Sequence, residues 1–475
     1  MKKLKLIYGA ILAALLGACT SGFEQTNTNP NLISEISPGA LLNEIIYNQT
    51  SNNLRNHYFV NCELMQVQLP YPKYYGGVQR YEILESTGAS QWNSSYKWLK
   101  NIREMILASE QANANNYKAI GLTLKAWIYS NLTDNFGSVP FSEASQSESG
   151  ILQPKYDSQE AIYTQILADL EEANQLYDHN VTMVYGTDIL FGNDSRLWQK
   201  FTNSLRLRLL LRISGVDSSV YQRMVDIIND PANAPIMENL EESAVLQITG
   251  VTPNLSPWSR ALDFSNQHAV GKFFIDILNE LEDPRRPVYV TPAKDLDNNP
   301  VGYEGIPSGY DEQSFDYSPS YMNNEQVVAP MIAPIMSFSE VAFIKAELAQ
   351  KGYLASSAEE LYQQGIDAAL ELWTGETAPD GYFEKPLAQY DGTLERIILH
   401  KYLGLYFTDY QQWSEYRRTG FPKLPTTESM LNEGVLPSRL MYPSDQQTYN
   451  PQHYKAALEV MGGDDINFKA WWDVD

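Results

Sequence analysis

Apolar residues recur every three or four positions through six long segments of this chain, which commits most of it to amphipathic helices. In "YKAIGLTLKAWIYSNL", Ile120, Leu124 and Ile128 repeat at four-residue spacing, with Asn115 or Asn116 placed to cap the first turn. "DSQEAIYTQILADLEEANQLY" sets Ile162, Ile166, Leu170, Ala173 and Tyr177 on one stripe behind Asp157 or Ser158. "SRLWQKFTNSLRLRLLLRIS" follows Asp194, a further cap, and "SFSEVAFIKAELAQKG" aligns Val341, Ile344 and Leu348 before Gly352 stops it. "SSAEELYQQGIDAALELW" and "TLERIILHKYLGLYFTDYQQWSEYRR" complete the set. Period-two alternation dominates nowhere, so strands are expected to be few and short.

Two helix pairs, near 91–134 and 338–374, have short connections and alternate small with large residues, as tetratricopeptide-type hairpins do. No clean repeat of about 34 residues accompanies them, so on spacing alone a general antiparallel helical domain is the better fit. Residues 66–90 and 250–335 interrupt the helices with Tyr-, Pro- and Gly-rich sequence. Loop regions of that length in a compact domain are usually functional or disordered, and their aromatic content argues against disorder.

The first residues, "MKKLKLIYGAILAALLGAC", place Lys2, Lys3 and Lys5 before an eleven-residue apolar run, 6–16. A spanning helix needs about 20 apolar residues, so this run reads as the core of a signal peptide, residues 1–18. The Leu-Gly-Ala-Cys order at 16–19 resembles a bacterial lipobox, in which the cysteine is acylated and becomes the new N-terminus. Two or more acyl chains anchor a protein stably where one does not. Residues 19–35 then form a lipidated, polar, flexible tether, and 36–475 a single mostly α-helical domain with loop-rich insertions near 66–90 and 250–335. With Cys19 acylated, Cys62 has no partner, and its apolar surroundings (Tyr58, Val60, Leu64, Met65, Val67) make it an inert core thiol.

Removal of residues 1–18 leaves 31 basic against 58 acidic residues, a formal charge of −27. Such a surface repels nucleic acid and anionic headgroups. Metal chemistry is not expected. "DLDNNP" offers Asp295, Asp297 and Asn299 at calcium-loop spacing, but Pro300 stands where a glycine is needed and Ile306 where a bidentate glutamate is needed. His57, His179, His268, His400 and His453 include no two at zinc-ligand spacing. The chain contains no G-x-S-x-G elbow, phosphate loop or H-E-x-x-H. Acidic pairs such as Glu171–Glu172, Asp311–Glu312 and Asp464–Asp465 read as solvated faces. The basic pairs Arg285–Arg286 and Arg417–Arg418 suit an acidic sugar or a structural role, and the second, at a helix end, favours the structural one. No catalytic residue and no cofactor are assigned.

Six segments in order carry a resemblance: "LKAWIYSNLTDNFGSVPFSEA", "AIYTQILADLEEA", "QKFTNSLRLRLLLRISG", "LEDPRRPVY", "APIMSFSEVAFIKAELAQKG" and "KYLGLYFTDYQQWSEYRRTGFPKL". With the lipobox they resemble the SusD/RagB family of outer-membrane nutrient-binding lipoproteins, in the SusD-like subgroup with the "NSLRLRL" helix. The resemblance implies a tetratricopeptide-type hairpin scaffold carrying a loop-rich, aromatic ligand side. It also implies a SusC-type TonB-dependent outer-membrane transporter as partner, with the lipoprotein capturing oligosaccharide or peptide as its lid. An acidic cluster often follows the lipidated cysteine in this family, and here it is reduced to Glu24.

The chain holds 31 Tyr against 16 Phe, an excess that suits wet interfaces because each tyrosine pairs an apolar face with a polar tip. A neutral glycan needs such platforms. Tyr71, Tyr74, Tyr75, Trp92 and Tyr96 form a first candidate set, and Trp258, Tyr303, Tyr310, Tyr317 and Tyr321 a second. The expected function is non-enzymatic glycan capture at the cell surface. Peptide capture is the alternative, and a surface glycoside hydrolase the weaker competitor.

Overall fold

The computed structural model describes residues 36–72, 77–310 and 315–474. The signal peptide and tether expected over 1–35, with Cys19, lie outside the described residues, as do Tyr74 and Tyr75. Helices of nine residues or more are numbered α1 Leu42–Asn56, α2 Ala89–Gln111, α3 Asn115–Phe136, α4 Gln159–Leu176, α5 Ser195–Arg212 and α6 Val220–Ile228. They continue as α7 Lys272–Glu280, α8 Phe338–Gln350, α9 Ala358–Thr374, α10 Leu394–Gly404, α11 Gln411–Thr419 and α12 Pro451–Met461. The strands are β1 Gln68–Pro70, β2 Val139–Pro140, β3 Tyr156–Asp157, β4 Ala244–Ile248, β5 His268–Val270 and β6 Met331–Met336.

The fold is mostly α-helical, with tetratricopeptide-like hairpins as its scaffold. Helix α2 pairs with α3, α3 with α4, and α8 with α9. Glycine sets the closeness of two of these contacts. A methyl group on Gly121 of α3 would stand 2.7 Å from Ile106 of α2, and one on Gly365 of α9 would stand 2.8 Å from the Phe343 ring of α8. The small-large alternation in the sequence is therefore a packing requirement of the hairpins.

Helix starts follow their caps. Ser158 accepts the Ala161 N–H, and Asp194 accepts those of Arg196 and Leu197, a contact type that contributes about 1 kcal/mol. The cap expected at Asn115 or Asn116 is not formed: α3 begins after Ala114 with no side-chain cap. The Asn116 side chain instead exchanges two hydrogen bonds with the Asp178 backbone, at 2.8 and 2.9 Å, and so fixes the turn after α4.

The arginines of the "NSLRLRLLLR" helix explain their own spacing. Arg208 and Arg212, one turn apart on α5, are both buried. Arg208 pairs with Glu340 of α8, Nε to Oε1 at 2.7 Å. Arg212 pairs with Asp134 of α3 at 2.8 Å and with Gln411 of α11 at 2.7 Å. Glu415 of α11 receives Arg418 at 2.7 Å and Lys401 of α10 at 2.8 Å, and despite its burial these cations hold its carboxyl well below the usual range. Arg418 also grips Glu347 of α8, and the Arg417 guanidinium lies 3.9 Å from the Trp413 ring centroid. The Arg417–Arg418 pair is thus spent on internal contacts, as its helix-end position suggests. Arg285 is likewise buried against Asp283.

Helix α1 runs on through a π turn, His57–Asn61, into a further turn, Cys62–Leu64. Phe407 N–H donates to His57 Nε2 at 3.0 Å, and His57 Nδ1 stands 2.7 Å from the Asp409 carbonyl oxygen. Those partners require Nδ1 to donate and Nε2 to accept, a neutral ring, and burial brings its pKa down to about 4. Cys62 is free and fully buried.

Two short antiparallel ladders organise the loop-rich side. Strands β4 and β6 pair and close the neck of the 249–330 segment. Strands β1 and β5 pair with Gln68 opposite Val270 and Pro70 opposite His268, which ties that segment to the 66–90 loop.

Candidate functional site

The β1–β5 ladder is extended by backbone bonds on its β5 side. Ile306 N–H donates to the Val270 carbonyl at 3.0 Å, Lys272 N–H to Ile306 at 2.7 Å, and Val270 N–H to Ser320 at 2.9 Å. Gly271 makes this possible, because a Cβ there would fall 2.0 Å from the Gln66 carbonyl oxygen. The result is an irregular platform built from 68–71, 268–272, 304–306 and 318–321.

Aromatic rings gather on this platform. The Tyr71 ring centroid stands 5.8 Å from Phe315, 6.1 Å from Tyr310 and 6.3 Å from Tyr321, and Phe315 stands 5.6 Å from Tyr317. Tyr71, Phe315, Tyr317 and Tyr321 are half-buried, whereas Tyr310 is only 2% exposed and donates its hydroxyl to the Pro70 carbonyl. Tyr317 donates to the Gly305 carbonyl at 2.7 Å. Burial raises the phenol pKa of Tyr71, Tyr317 and Tyr321, and the carboxylates of Glu304, Asp316 and Asp276 add to the effect at Tyr317. All three phenols therefore stay protonated at neutral pH. The cluster offers flat apolar faces with an acceptor-rich rim.

Gln79 holds the two contributing loops together. Its side-chain oxygen accepts the Gly309 N–H at 2.7 Å, its amide donates to the Tyr310 carbonyl at 3.1 Å, and its own carbonyl accepts the Ser308 hydroxyl at 3.1 Å. Behind it, Gln79 N–H donates to the buried Glu63 carboxyl at 3.2 Å.

The other sequence-derived candidates are dispersed. Trp92 is 4% exposed and packs against Tyr96, Phe136 and Tyr442, at 5.0, 5.1 and 5.8 Å. Tyr96 is half-buried and donates to the Pro140 carbonyl at 2.8 Å. Trp258 is also 4% exposed, enclosed by Tyr58, Phe264 and Phe407. Tyr303 is half-buried under the Arg286 guanidinium at 5.4 Å. Trp92, Trp258 and Tyr310 thus have their faces covered by protein and support loops from within. Phe315 and Gln79 were not singled out in the sequence. For Phe315 the available signal was its alternation with Tyr317, the period of an extended segment facing one way.

Asp295 spends its carboxylate on its own turn, accepting from the backbone of Asp297 at 2.9 Å and of Asn299 at 2.8 Å. Among the described residues no three His, Cys, Asp or Glu side chains group as metal ligands. No helix among them is long and apolar enough to cross a membrane.

A family profile described as starch-binding and associating with the outer membrane matches residues 30–443. Among solved structures the chain is similar to a chitin-binding protein at 25% identity and a TM-score of 0.81, covering 92% of this chain and 100% of that one. It is similar to a SusD homologue from Bacteroides uniformis ATCC 8492 at 21% identity and a TM-score of 0.78, covering 92% and 99%. A SusD homologue from Bacteroides fragilis NCTC 9343 gives 23% identity and a TM-score of 0.74, covering 92% and 99%. No curated protein sequence matches. The last two structural likenesses speak for the fold, whereas the profile spans the hairpin scaffold and the whole aromatic platform. The chain belongs to the SusD-like family of starch-binding proteins that associate with the outer membrane.

Proposed function

We propose that this protein captures glycan at the cell surface without cleaving it and delivers it to a SusC-type TonB-dependent outer-membrane transporter. Acyl chains on Cys19 hold it to the membrane, and the polar stretch after Cys19 leaves the body free to reorient over the transporter. The observation that carries the reading is the gathering of Tyr71, Phe315, Tyr317 and Tyr321 from two distant loop segments. Pyranose rings have apolar C–H faces that lie against aromatic rings, and hydroxyl rims that need acceptors and donors nearby. The carboxylates of Glu304, Asp316 and Asp276 act on the Tyr317 phenol, which favours a neutral sugar over an acidic one there. Tyr74 and Tyr75 follow Tyr71 closely in the sequence and stay candidates on that ground alone. Likeness to a chitin-binding protein makes N-acetylglucosamine oligomers a first probe, beside starch oligosaccharides.

Calorimetry on the body from residue 20 onward, with chitohexaose, maltoheptaose and a mixed peptide library, tests this. The expected result is binding to at least one of the two oligosaccharides, weakened about tenfold or more by Tyr71→Ala or Tyr321→Ala, in line with the truncation of a central aromatic anchor. Binding to peptide alone overturns the glycan reading. Shortened products in the incubation overturn the non-enzymatic one. Failure of the full-length protein to copurify with a TonB-dependent transporter from solubilised membranes overturns delivery.

A further inference from the structure

A second cleft, of about 410 Å³, opens between α4, the end of α5, α6 and the last described residues, and shares no residue with the Tyr71 platform. Pockets for small ligands typically span about 300–1,000 Å³. Trp471 forms one wall, half-buried and held in place. Its backbone N–H donates to Gln159 Oε1 at 2.6 Å, and its ring centroid stands 6.2 Å from that of Tyr163. Tyr163 is itself fixed by donating its hydroxyl to Asp134 at 2.7 Å.

Of the polar side chains that line the cleft, Asp217 accepts from Ser219, Glu171 pairs with Arg206 and the Thr164 hydroxyl donates to the Glu160 carbonyl, which leaves three others uncommitted. The Arg223 guanidinium, the Glu160 carboxylate and the Trp471 indole N–H make no hydrogen bond or ion pair among the described residues. Elsewhere in the chain Arg208, Arg212, Arg285, Arg418 and Arg439 are all spent on internal carboxylates. A braced aromatic face beside one free donor and one free acceptor matches a sugar's C–H face and its neighbouring hydroxyls, each of which both donates and accepts.

We infer that this cleft is a second saccharide subsite, with a neutral pyranose lying against Trp471 and its hydroxyls taken by Arg223 and Glu160. The inference rests on the glycan reading above. It also extends that reading: two separate subsites on one body let a long polysaccharide bind bivalently and raise avidity without tightening either contact.

The test is calorimetric stoichiometry on the body from residue 20 onward, with chitohexaose and maltoheptaose as separate probes. The expected result is two sites per chain for the bound probe. Trp471→Ala reduces this to one, while the affinity left at the Tyr71 platform stays within about twofold. Arg223→Ala, at an exposed position, guards against misfolding of the Trp471 variant and is expected to weaken the second site about fivefold or more. One site in the unaltered chain, abolished by Tyr71→Ala, overturns this inference and leaves the glycan reading standing. Two sites that both survive Trp471→Ala and Arg223→Ala also overturn it. Binding to neither probe overturns both together.

Discussion

Gln79 and Tyr310, 231 residues apart in the sequence, are joined by a hydrogen bond of 3.1 Å from the glutamine amide to the tyrosine carbonyl. The same side chain accepts the Gly309 N–H at 2.7 Å, so one fully buried amide satisfies two backbone groups of the opposite loop. Truncating it strands the buried Gly309 N–H, at about 1–3 kcal/mol, and removes the bond to the Tyr310 carbonyl, at about 0.5–1.5 kcal/mol. Gln79→Ala is expected to lower stability by about 2–4 kcal/mol. It should also speed amide exchange through 305–310 and weaken binding at the Tyr71 platform. Exchange through that loop unchanged from the parent protein would remove Gln79 as the tie between the loops.

The contrast between what the sequence made legible and what it did not follows from the range of the contacts involved. The hairpins were readable because their signals lie within a few residues: the stripe of Ile162, Ile166 and Leu170, the caps Ser158 and Asp194, the stop near Gly352. The structural use of Arg417 and Arg418 was readable from their place at a helix end. Platform residues depend instead on a three-residue ladder between β1 and β5, too short to leave a period of its own. Residue type gives chemistry but not exposure, so Trp92 and Trp258 looked equivalent to Tyr71 until their neighbours were known. Trp92 and Tyr96 sit four apart on α2, a spacing that turns both inward together. Gln79 left no signal at all, since a single glutamine in a loop carries none.

Glu63 makes stability depend on pH. Its carboxyl is buried, receives one N–H from Gln79, and has a pKa pushed by that burial from 4.5 up to about 8. Below about pH 4.5 the group is protonated in both folded and unfolded chains. Between 4.5 and 8 the unfolded chain loses its proton and the folded one keeps it, so stability falls as pH rises through that window and levels off above it. Glu63→Gln keeps an acceptor for Gln79 and removes the titration. Relative to the parent, the variant is expected to gain on the order of 1–3 kcal/mol between about pH 5 and pH 8. Urea unfolding at several pH values measures this, and a difference that does not grow with pH sinks the assignment.

The Arg208–Glu340 pair tests the buried network that joins α5 to α8. Both side chains are buried, and the guanidinium also reaches the Ile335 carbonyl at 3.1 Å. Arg208→Met strands Glu340 and is expected to cost about 3–5 kcal/mol. Arg208→Met combined with Glu340→Leu is expected to recover most of the loss, because it removes the unpaired charge with the partner. Denaturant unfolding of both variants decides. Equal destabilisation by the single and double changes would mean that the geometry of the pair, and not the stranded charge, sets the cost.

His57, His268 and His400 all add to acid sensitivity, each held neutral by burial that lowers its pKa from 6.5 to about 4. As pH falls from 6.5 towards 4, the unfolded chain takes up protons that the folded chain refuses, so these three groups remove stability progressively through that range. The ring proton resonances of all three are expected to stay at their neutral positions between about pH 8 and pH 5. A titration of any of them with a midpoint near 6.5 contradicts its neutral form, which for His57 is also required by its partners.

The two cysteines are expected to behave in opposite ways. Cys62 is fully buried, and that burial, with the neighbouring Glu63, pushes its thiol pKa well up. Thiolate is the reactive form, so the folded body from residue 20 onward should resist maleimide near neutral pH and react only once unfolded. With Cys62 buried, acylation of the full-length chain is expected at Cys19, the other cysteine of the sequence. In cells that process lipoproteins, radiolabelled palmitate is expected in the unaltered protein and in Cys62→Ala, and is expected to vanish in Cys19→Ala together with membrane association. Label retained in Cys19→Ala would place the anchor elsewhere. Loss of association in that variant is the expected outcome because the body's heavy excess of acidic residues gives it no attraction to anionic headgroups.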